Sequence, residues 1–237
     1  MNNKAKRILL IILLVIVVIG GSLLVGIIVQ SNPFIKAFDA YFYQLIANMP
    51  RNVWLDFIIW PFNNNFIPQV KPYPSFFVVM NLAVLLYIYF YKRVYFRSFL
   101  LALVIGSVLA SISLVINSEF MYRERPFTQL PNNLSEATKE SFHGWTSYPS
   151  GHTRDTAMYA AIIASFIPQL KILMIVLAVF VGFSRIYLGV HFPTDVIAGL
   201  LLGYLIARIT MIFVHEISKP KLKGEVVNVT KPKSIRR

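Results

Sequence analysis

The chain has 237 residues, of which 57% are hydrophobic and 14% are charged, with a formal net charge of +13 and no cysteine. A soluble domain rarely exceeds half apolar content, so the composition indicates a membrane protein, and the absence of cysteine excludes disulfides, zinc–thiolate sites and a cysteine nucleophile. The basic residues lie in short segments between apolar runs, as membrane topology signals do, so the positive charge does not indicate a nucleic-acid partner.

The apolar runs predict an all-α, polytopic membrane protein with six transmembrane helices in a bundle. About 20 helical residues cover the roughly 30 Å hydrocarbon core of a bilayer. The first run, residues 8–29, is longer than the apolar region of a signal peptide, so we expect it to be retained rather than cleaved. The predicted spans are residues 8–29, 73–91, 98–117, 152–167, 172–188 and 194–214.

These spans divide the chain into four regions. Residues 1–30 form the first transmembrane helix, 31–72 an extracytoplasmic interfacial segment, 73–214 a helical core and 215–237 a basic cytoplasmic tail. The interfacial segment mixes charges with aromatic residues, which indicates one or two amphipathic helices lying on the outer leaflet. An ordinary extracellular loop remains an equal alternative for this segment.

The distribution of lysine and arginine predicts that both termini are cytoplasmic. With that orientation, 15 of the 23 basic residues lie on the cytoplasmic side, counting Arg208 in the inner half of the sixth span, as the positive-inside rule requires. The third and fifth spans then end outside, and the fourth and sixth begin outside. We therefore expect a plasma-membrane protein whose three polar segments, residues 123–127, 149–152 and 184–195, meet on the extracytoplasmic face.

The second polar segment, Pro-Ser-Gly-His at 149–152, lies where the fourth span begins. Ser150 is placed to cap that helix, whose free N–H groups favour an anion, and Gly151 permits close approach to the backbone. His152 is placed to donate a proton to a leaving oxygen. A plain helix cap beside an interfacial histidine is the alternative for this segment alone.

The third polar segment contains His191 and Asp195, four residues apart at the start of the sixth span. Pro193 suits the first helical turn, so Asp195 can reach back to one ring nitrogen of His191. That contact leaves the other nitrogen as a nucleophile and stabilises the imidazolium formed on attack. A carboxylate interacting with the helix dipole beside an interfacial histidine remains the alternative.

Two arginines, Arg125 and Arg185, are candidate phosphate ligands. Guanidinium binds phosphate bidentately and stabilises the charge that phosphoryl transfer spreads over the equatorial oxygens. Arg123 is a weaker candidate for the same role, and Arg154 is expected to pair with Asp155. Snorkelling of these side chains toward lipid headgroups is the alternative.

Together these motifs resemble the type 2 phosphatidic acid phosphatase superfamily, integral membrane lipid phosphatases related to vanadium haloperoxidases. That family combines Lys, six residues and Arg-Pro with Pro-Ser-Gly-His and with Ser-Arg, five residues, His, three residues and Asp. The chain matches the second motif at 149–152 and the third at Ser184, Arg185, His191 and Asp195. Arg125-Pro126 matches the end of the first motif, and the resemblance extends over residues 73–214.

The resemblance implies a metal-independent phosphatase with no cofactor. By that resemblance, His191 forms a phosphohistidine, Asp195 orients it, and His152 protonates the leaving group. The phosphate is held by the residues that the resemblance assigns to binding, which are Arg125, Arg185, Ser150 and the amide of Gly151. Arg123 is a further candidate that rests on its position beside the first motif rather than on the resemblance. In place of the family's phosphate-binding lysine the chain has Ser118, which leads to the hypothesis that Arg123 or Arg154 substitutes for it.

The expected substrate is a phosphomonoester or diphosphate of a membrane lipid. Polyprenyl diphosphate, phosphatidylglycerol phosphate and phosphatidic acid are the candidates, and an outward-facing site favours a carrier diphosphate. Two alternatives remain open: a lipid-phosphate binder or transporter with weak activity, and a phosphotransferase between lipids or to a glycan. The lipid bilayer and its lipids are the expected partners, and no pattern in the sequence indicates an oligomeric state.

Overall fold

The computed structural model of the chain describes residues 3–50, 52–59, 76–131, 134, 139–140 and 144–218. Within these ranges the regular structure is helical, as the sequence predicts. The α-helices, in chain order, are α1 (Asn3–Ser31), α2 (Pro33–Ala47), α3 (Val53–Ile59), α4 (Phe76–Tyr91), α5 (Phe96–Phe120), α6 (Pro126–Gln129), α7 (Gly151–Phe166), α8 (Lys171–Tyr187) and α9 (Pro193–Ser218).

Among the described residues, four helical stretches are long and apolar enough to cross a membrane: Ala5–Ser31, Arg93–Phe120, Pro168–Tyr187 and Pro193–Ser218. They correspond to four of the six predicted spans and make the chain a multi-pass membrane protein. The other two predicted spans are α4 and α7, of 16 residues each. Such a helix is about 24 Å long, shorter than the hydrocarbon core, so six spans and the orientation of the termini stay predictions.

Close packing of α7 against α9 decides where the polar segments lie. A Cβ on Gly199 of α9 would lie 2.7 Å from the backbone oxygen of Ser150, and one on Gly203 would overlap the backbone of Arg154. The Gly-x-x-x-Gly spacing therefore lets the two helices approach at backbone distance, as in membrane helix pairs. At the end of this contact, the N–H of Ser150 donates to the carbonyl of Asp195 at 3.0 Å.

The apolar core lies below this contact, among α5, α7, α8 and α9. Its fully buried members include Phe99 of α5 and Met158 and Ile162 of α7. At the far end of the bundle, Arg7 of α1 pairs with Glu216 of α9 at 3.1 Å. The polar segments therefore occupy one end of the bundle, and the N-terminus of α1 and the C-terminus of α9 occupy the other.

The described part of the predicted interfacial segment is helical rather than an extended loop. Asn32 caps α2 by accepting from the amides of Phe34 and Ile35, and Pro33 occupies the first turn. Tyr43 of α2 is buried against Phe192, with ring centroids 5.9 Å apart. Residues 60–75 of this region and most of the basic tail, residues 219–237, lie outside the described residues, and the four-region division stays a prediction.

Candidate active site

The three polar segments meet at one end of the bundle. Arg125 of the first segment lies 3.3 Å from His191 of the third, measured from Nη1 to Nε2. The second segment joins the third through the bond from Ser150 to Asp195. This convergence was predicted, whereas the membrane face on which it lies remains a prediction.

His191 is buried in the loop between α8 and α9, and its two ring nitrogens have different partners. Nδ1 lies 2.8 Å from the backbone carbonyl of Ser147, which can only accept a hydrogen bond. The proton is therefore on Nδ1, and Nε2 carries the lone pair that faces Arg125. Burial and the positive charge of Arg125 lower the pKa of His191 to about 4, so the ring is neutral at neutral pH.

Asp195 sits in the first turn of α9 and is fully buried. Its Oδ2 accepts from the hydroxyl of Ser147 at 2.5 Å and from the amide of Phe192 at 2.9 Å. Oδ2 lies 3.7 Å from Nδ1 of His191, which is a charge contact longer than a hydrogen bond. The carboxylate therefore acts on the ring through its charge and through its hydrogen bond with Ser147. The direct contact that the sequence predicted is this approach at 3.7 Å.

Arg125 is held by the backbone around it. Its guanidinium donates to the carbonyls of Trp145, Thr146 and Val190 at 3.3, 3.1 and 2.9 Å. Burial lowers its pKa to about 10, which still leaves the group charged at neutral pH. A fixed cation therefore stands beside the lone pair of His191, as binding and attack on a phosphate require.

Arg123, the weaker of the predicted phosphate ligands, lies between two buried carboxylates. Its Nη1 is 2.5 Å from Oδ1 of Asp195, and its Nη2 is 2.6 Å from Oδ2 of Asp39. Nη1 also donates to the hydroxyl of Thr194 at 3.0 Å, and the guanidinium lies 4.2 Å from the ring centroid of Phe192. A direct contact of Arg123 with phosphate stays a prediction that this placement does not strengthen.

The start of α7 presents backbone N–H groups to the site. Ser150 occupies the N-cap position, but its side chain makes no capping hydrogen bond, so the prediction that its hydroxyl caps the helix is wrong. That hydroxyl oxygen instead accepts from the hydroxyl of Thr153, in the first turn of α7, at 2.9 Å. A Cβ on Gly151 would meet no heavy atom within 4 Å, so the space beside it is open. An anion therefore has room at the N-terminus of α7.

The remaining basic candidates differ in their surroundings. Arg185 is fully buried near the end of α8, where its guanidinium donates to the hydroxyl of Ser184 at 3.2 Å and its charge acts on His191. Arg154 pairs with Asp155 at 2.7 Å, as predicted, and reaches Ser113 of α5 at 3.4 Å. Ser118, at the position of the family lysine, donates to the carbonyl of Val115 within α5.

A cavity of about 930 Å³ lies between one part of the site and an apolar wall. At its polar end lie His191, His152, Arg125, Gly151 and Arg154. Its other wall comes from two helices and is mostly apolar, with Val78, Leu82 and Leu85 of α4 and Leu103, Val104, Val108 and Leu114 of α5 beside the polar Asn81 and Ser107. Arg123 lines a separate cavity of about 510 Å³ beside α2. The larger cavity therefore suits a ligand with an anionic head and an apolar chain.

Three functional contacts were not predicted from the sequence. Ser147 supplies the acceptor for Nδ1 of His191, and Asp39 and Thr194 hold Arg123. Only Asp39 carried a signal, because an acidic residue inside an aromatic, apolar helix is costly to bury without a partner. Within the described ranges, no group of three or more histidine and carboxylate side chains is arranged to hold a metal ion.

Comparison with protein families agrees with these motifs. Residues 98–219, just over half of the chain, match the model of the PAP2 superfamily. The matched region contains α5 to α9 and therefore all three polar segments. It excludes α1 to α4, which include Asp39 and one apolar wall of the larger cavity.

Among characterised proteins, the chain is similar to membrane lipid phosphatases. It is 37% identical over 113 residues to undecaprenyl-diphosphatase of Sulfolobus acidocaldarius, covering 47% of this chain and 53% of that protein. It is 38% identical over 88 residues to phosphatidylglycerophosphatase B of Bacillus subtilis, covering 32% and 43%. The chain thus spans about half the length of these relatives.

Among solved structures, the fold is similar to that of a transmembrane PAP2-type phosphatidylglycerolphosphate phosphatase from Bacillus subtilis. The TM-score is 0.59 at 23% sequence identity, and the match covers 93% of this chain and 100% of that one. At this level of identity the likeness concerns the fold.

Proposed function

We propose, from the premise that the chain belongs to the PAP2 superfamily, that it is a membrane lipid phosphatase. It hydrolyses the phosphomonoester or diphosphate of a lipid through a phosphohistidine intermediate, without a metal or cofactor. The observation that carries this proposal is the cavity in which His191, His152 and Arg125 share one space with the apolar wall from α4 and α5. A lipid phosphate offers the matching combination of anion and chain.

In the proposed first step, Nε2 of His191 attacks phosphorus while the proton stays on Nδ1, which donates a hydrogen bond to the carbonyl of Ser147. The bond from phosphorus to the leaving oxygen breaks, and its electron pair leaves with that oxygen, which takes a proton from the imidazolium form of His152. Asp195 stabilises the positive ring that forms, since its Oδ2 lies 3.7 Å from Nδ1. The product of this step is a phosphohistidine and the dephosphorylated lipid, or the lipid monophosphate from a diphosphate.

In the second step, water attacks the phosphohistidine. His152, now neutral, accepts a proton from the water, and the phosphorus–nitrogen bond returns its electron pair to Nε2 of His191. Inorganic phosphate leaves and both histidines regain their starting states. Through both steps Arg125, Arg185, Ser150 and the amide of Gly151 hold the equatorial oxygens.

The substrate is proposed to reach the site from the bilayer. Its head would lie at the extracytoplasmic end of the bundle, and its chain would lie along the apolar wall, which includes Leu82, Leu85 and Val108. Six spans with both termini cytoplasmic in a plasma membrane would place the site on the outer face. Polyprenyl diphosphate, phosphatidylglycerol phosphate and phosphatidic acid all satisfy this geometry, and a carrier diphosphate is our preferred candidate.

The test is phosphate release by the purified protein from these three lipids in detergent containing EDTA. The intact protein is compared with His191→Gln and with His215→Gln, an exposed histidine of α9 at the opposite end of the bundle. We expect release by the intact protein and by His215→Gln and a loss of at least about 1,000-fold in His191→Gln. No release from any lipid by the intact protein would contradict the proposal and favour the binder or transporter.

The phosphotransferase alternative uses the same residues and differs only in the acceptor. Adding a second lipid alcohol or a glycan to the reaction separates the two activities. Radiolabelled phosphate is expected in the inorganic fraction for a hydrolase. Its appearance on the added acceptor would identify a transferase.

A further inference from the structure

Helix α2 makes hydrogen bonds to the loop that carries His191, both before and after this histidine in the chain. Before the histidine, the hydroxyl of Tyr43 donates to the carbonyl of Gly189 at 3.3 Å. After it, Oδ1 of Asp39 accepts from the amide of Thr194 at 2.9 Å and Oδ2 from its hydroxyl at 2.5 Å. The loop between α8 and α9 is therefore attached to a helix that lies outside the matched family region.

Asp39 also completes a charged group with Arg123 and Asp195. Arg123 bridges the two carboxylates, at 2.6 Å from Asp39 and 2.5 Å from Asp195, and both carboxylates are almost fully buried. Two carboxylates and one guanidinium carry a net charge of −1. Without Asp39, the charge of Arg123 would cancel that of Asp195, and the group would be neutral.

The net charge matters at the moment of attack. When Nε2 of His191 bonds to phosphorus, the ring becomes positive, and the adjacent group of charge −1 balances it. A neutral pair in that position would attract the positive ring less, because Arg123 would offset the field of Asp195. The buried surroundings strengthen these interactions relative to water.

We infer that Asp39 is a positioning residue of the catalytic site, which acts by neutralising Arg123 and by fixing the start of α9. It leaves the charge of Asp195 available to the His191 ring and holds Thr194 in place. Asp39 contacts no reacting atom in this arrangement. The inference rests on the proposed function and adds to it a residue of α2 and a role for Arg123 other than phosphate binding.

The test is Asp39→Asn, which keeps the shape and a carbonyl acceptor but removes the charge. Steady-state kinetics with farnesyl diphosphate are measured beside single-turnover formation of the phosphoenzyme from the radiolabelled lipid. We expect kcat and the rate of phosphoenzyme formation to fall on the order of 10- to 100-fold, with KM within about twofold, because the lost interaction acts in the transition state. Asp39→Glu keeps the charge and is expected to recover part of the loss.

Glu216→Gln is the matched control, because it also removes one carboxylate from an arginine pair but at the opposite end of α9. It is expected to leave kcat unchanged. If Asp39→Asn does not yield folded protein, Thr194→Val replaces it, since this change removes the hydroxyl that Asp39 and Arg123 share. A smaller loss in kcat, of several-fold, is expected at constant KM, because this change removes one contact of Asp39 and leaves its charge in place.

Two outcomes would overturn the inference. One is a kcat within twofold of the intact protein in a folded Asp39→Asn or Thr194→Val variant. The other is a loss of kcat that appears equally in Glu216→Gln, which would make the effect one of general stability. An intact protein that releases no phosphate from any lipid is a different result, which removes the proposed function and this inference with it.

Discussion

Nε2 of His191 and Nη1 of Arg125 lie 3.3 Å apart, so the lone pair of the ring and a fixed guanidinium face the same space. The pairing is stable because Nδ1 has its own acceptor in Ser147 and because three backbone carbonyls hold the guanidinium. A phosphate that entered between them would meet the cation and the nucleophile together. The predictions below follow from this arrangement and from the helix packing that supports it.

Replacing Arg125 with lysine is expected to lower kcat/KM on the order of 100-fold. Lysine keeps the charge but cannot reproduce the planar donors that hold the group against three carbonyls and a phosphate. Phosphate release from the preferred lipid measures the effect. Arg7→Lys, in the ion pair at the other end of the bundle, is the control and is expected to retain full activity. Equal activity of Arg125→Lys and the intact protein would contradict this role.

Replacing Gly199 with alanine is expected to destabilise the protein and reduce activity. The added Cβ would lie 2.7 Å from the backbone oxygen of Ser150, and the backbone of α7 can avoid it only by moving away from α9. Overpacking of this kind costs about 1–3 kcal/mol, or several degrees in the midpoint of thermal unfolding. Gly21→Ala, whose Cβ would meet nothing within 4 Å, is expected to leave the midpoint unchanged or raise it slightly. Equal midpoints for the two variants would argue against close α7–α9 packing.

Replacing Gly151 with alanine is expected to separate binding from stability. Its Cβ would meet no protein atom within 4 Å, so the thermal midpoint should hold or rise slightly. The methyl group would project into the space where the phosphate is proposed to lie, so kcat/KM should fall about 10-fold or more. Thermal unfolding and phosphate release, measured on one preparation, test both parts. Undiminished kcat/KM would show that phosphate does not approach this glycine.

The depressed pKa of His191 predicts how stability depends on pH. In the folded protein this pKa is about 4, against 6.5 for an unperturbed histidine, so the unfolded state takes up a proton first as the pH falls. The contribution to stability is therefore lost between pH 6.5 and 4, by about 1.4 kcal/mol per pH unit, and is unaffected above that window.

Thermal midpoints at pH 8 and pH 5 test this dependence. His191→Gln is expected to lose less stability between these values than the intact protein, because it lacks the titrating ring. His215→Gln, which changes an exposed histidine, is expected to follow the intact protein. Identical losses in all three proteins would show that His191 is not protected from protonation.

Much of the fold follows from local sequence. The length and apolar character of the runs predict the helices, and their ends in the structure lie within a few residues of the predicted ones, as at α5 and α9. The number of spans does not follow from apolar length in the same way, since α4 and α7 are short and α7 carries Arg154 and Asp155 in its first turns. Neighbouring helices can bury such a helix, and the length of an apolar run does not measure this burial.

The amino-acid sequence identifies the chemical groups of the site: the histidines, the arginines and the glycine-containing turn, at spacings that match a family of lipid phosphatases. The partners of these groups follow from the packing of the helices. Arg123 pairs with Asp39, a residue 84 positions away, and Nδ1 of His191 meets the carbonyl of Ser147. Those contacts depend on distances of a few ångströms, which are set by the approach of α7 to α9 and by the packing of α2 against α8 and α9. No local pattern encodes them.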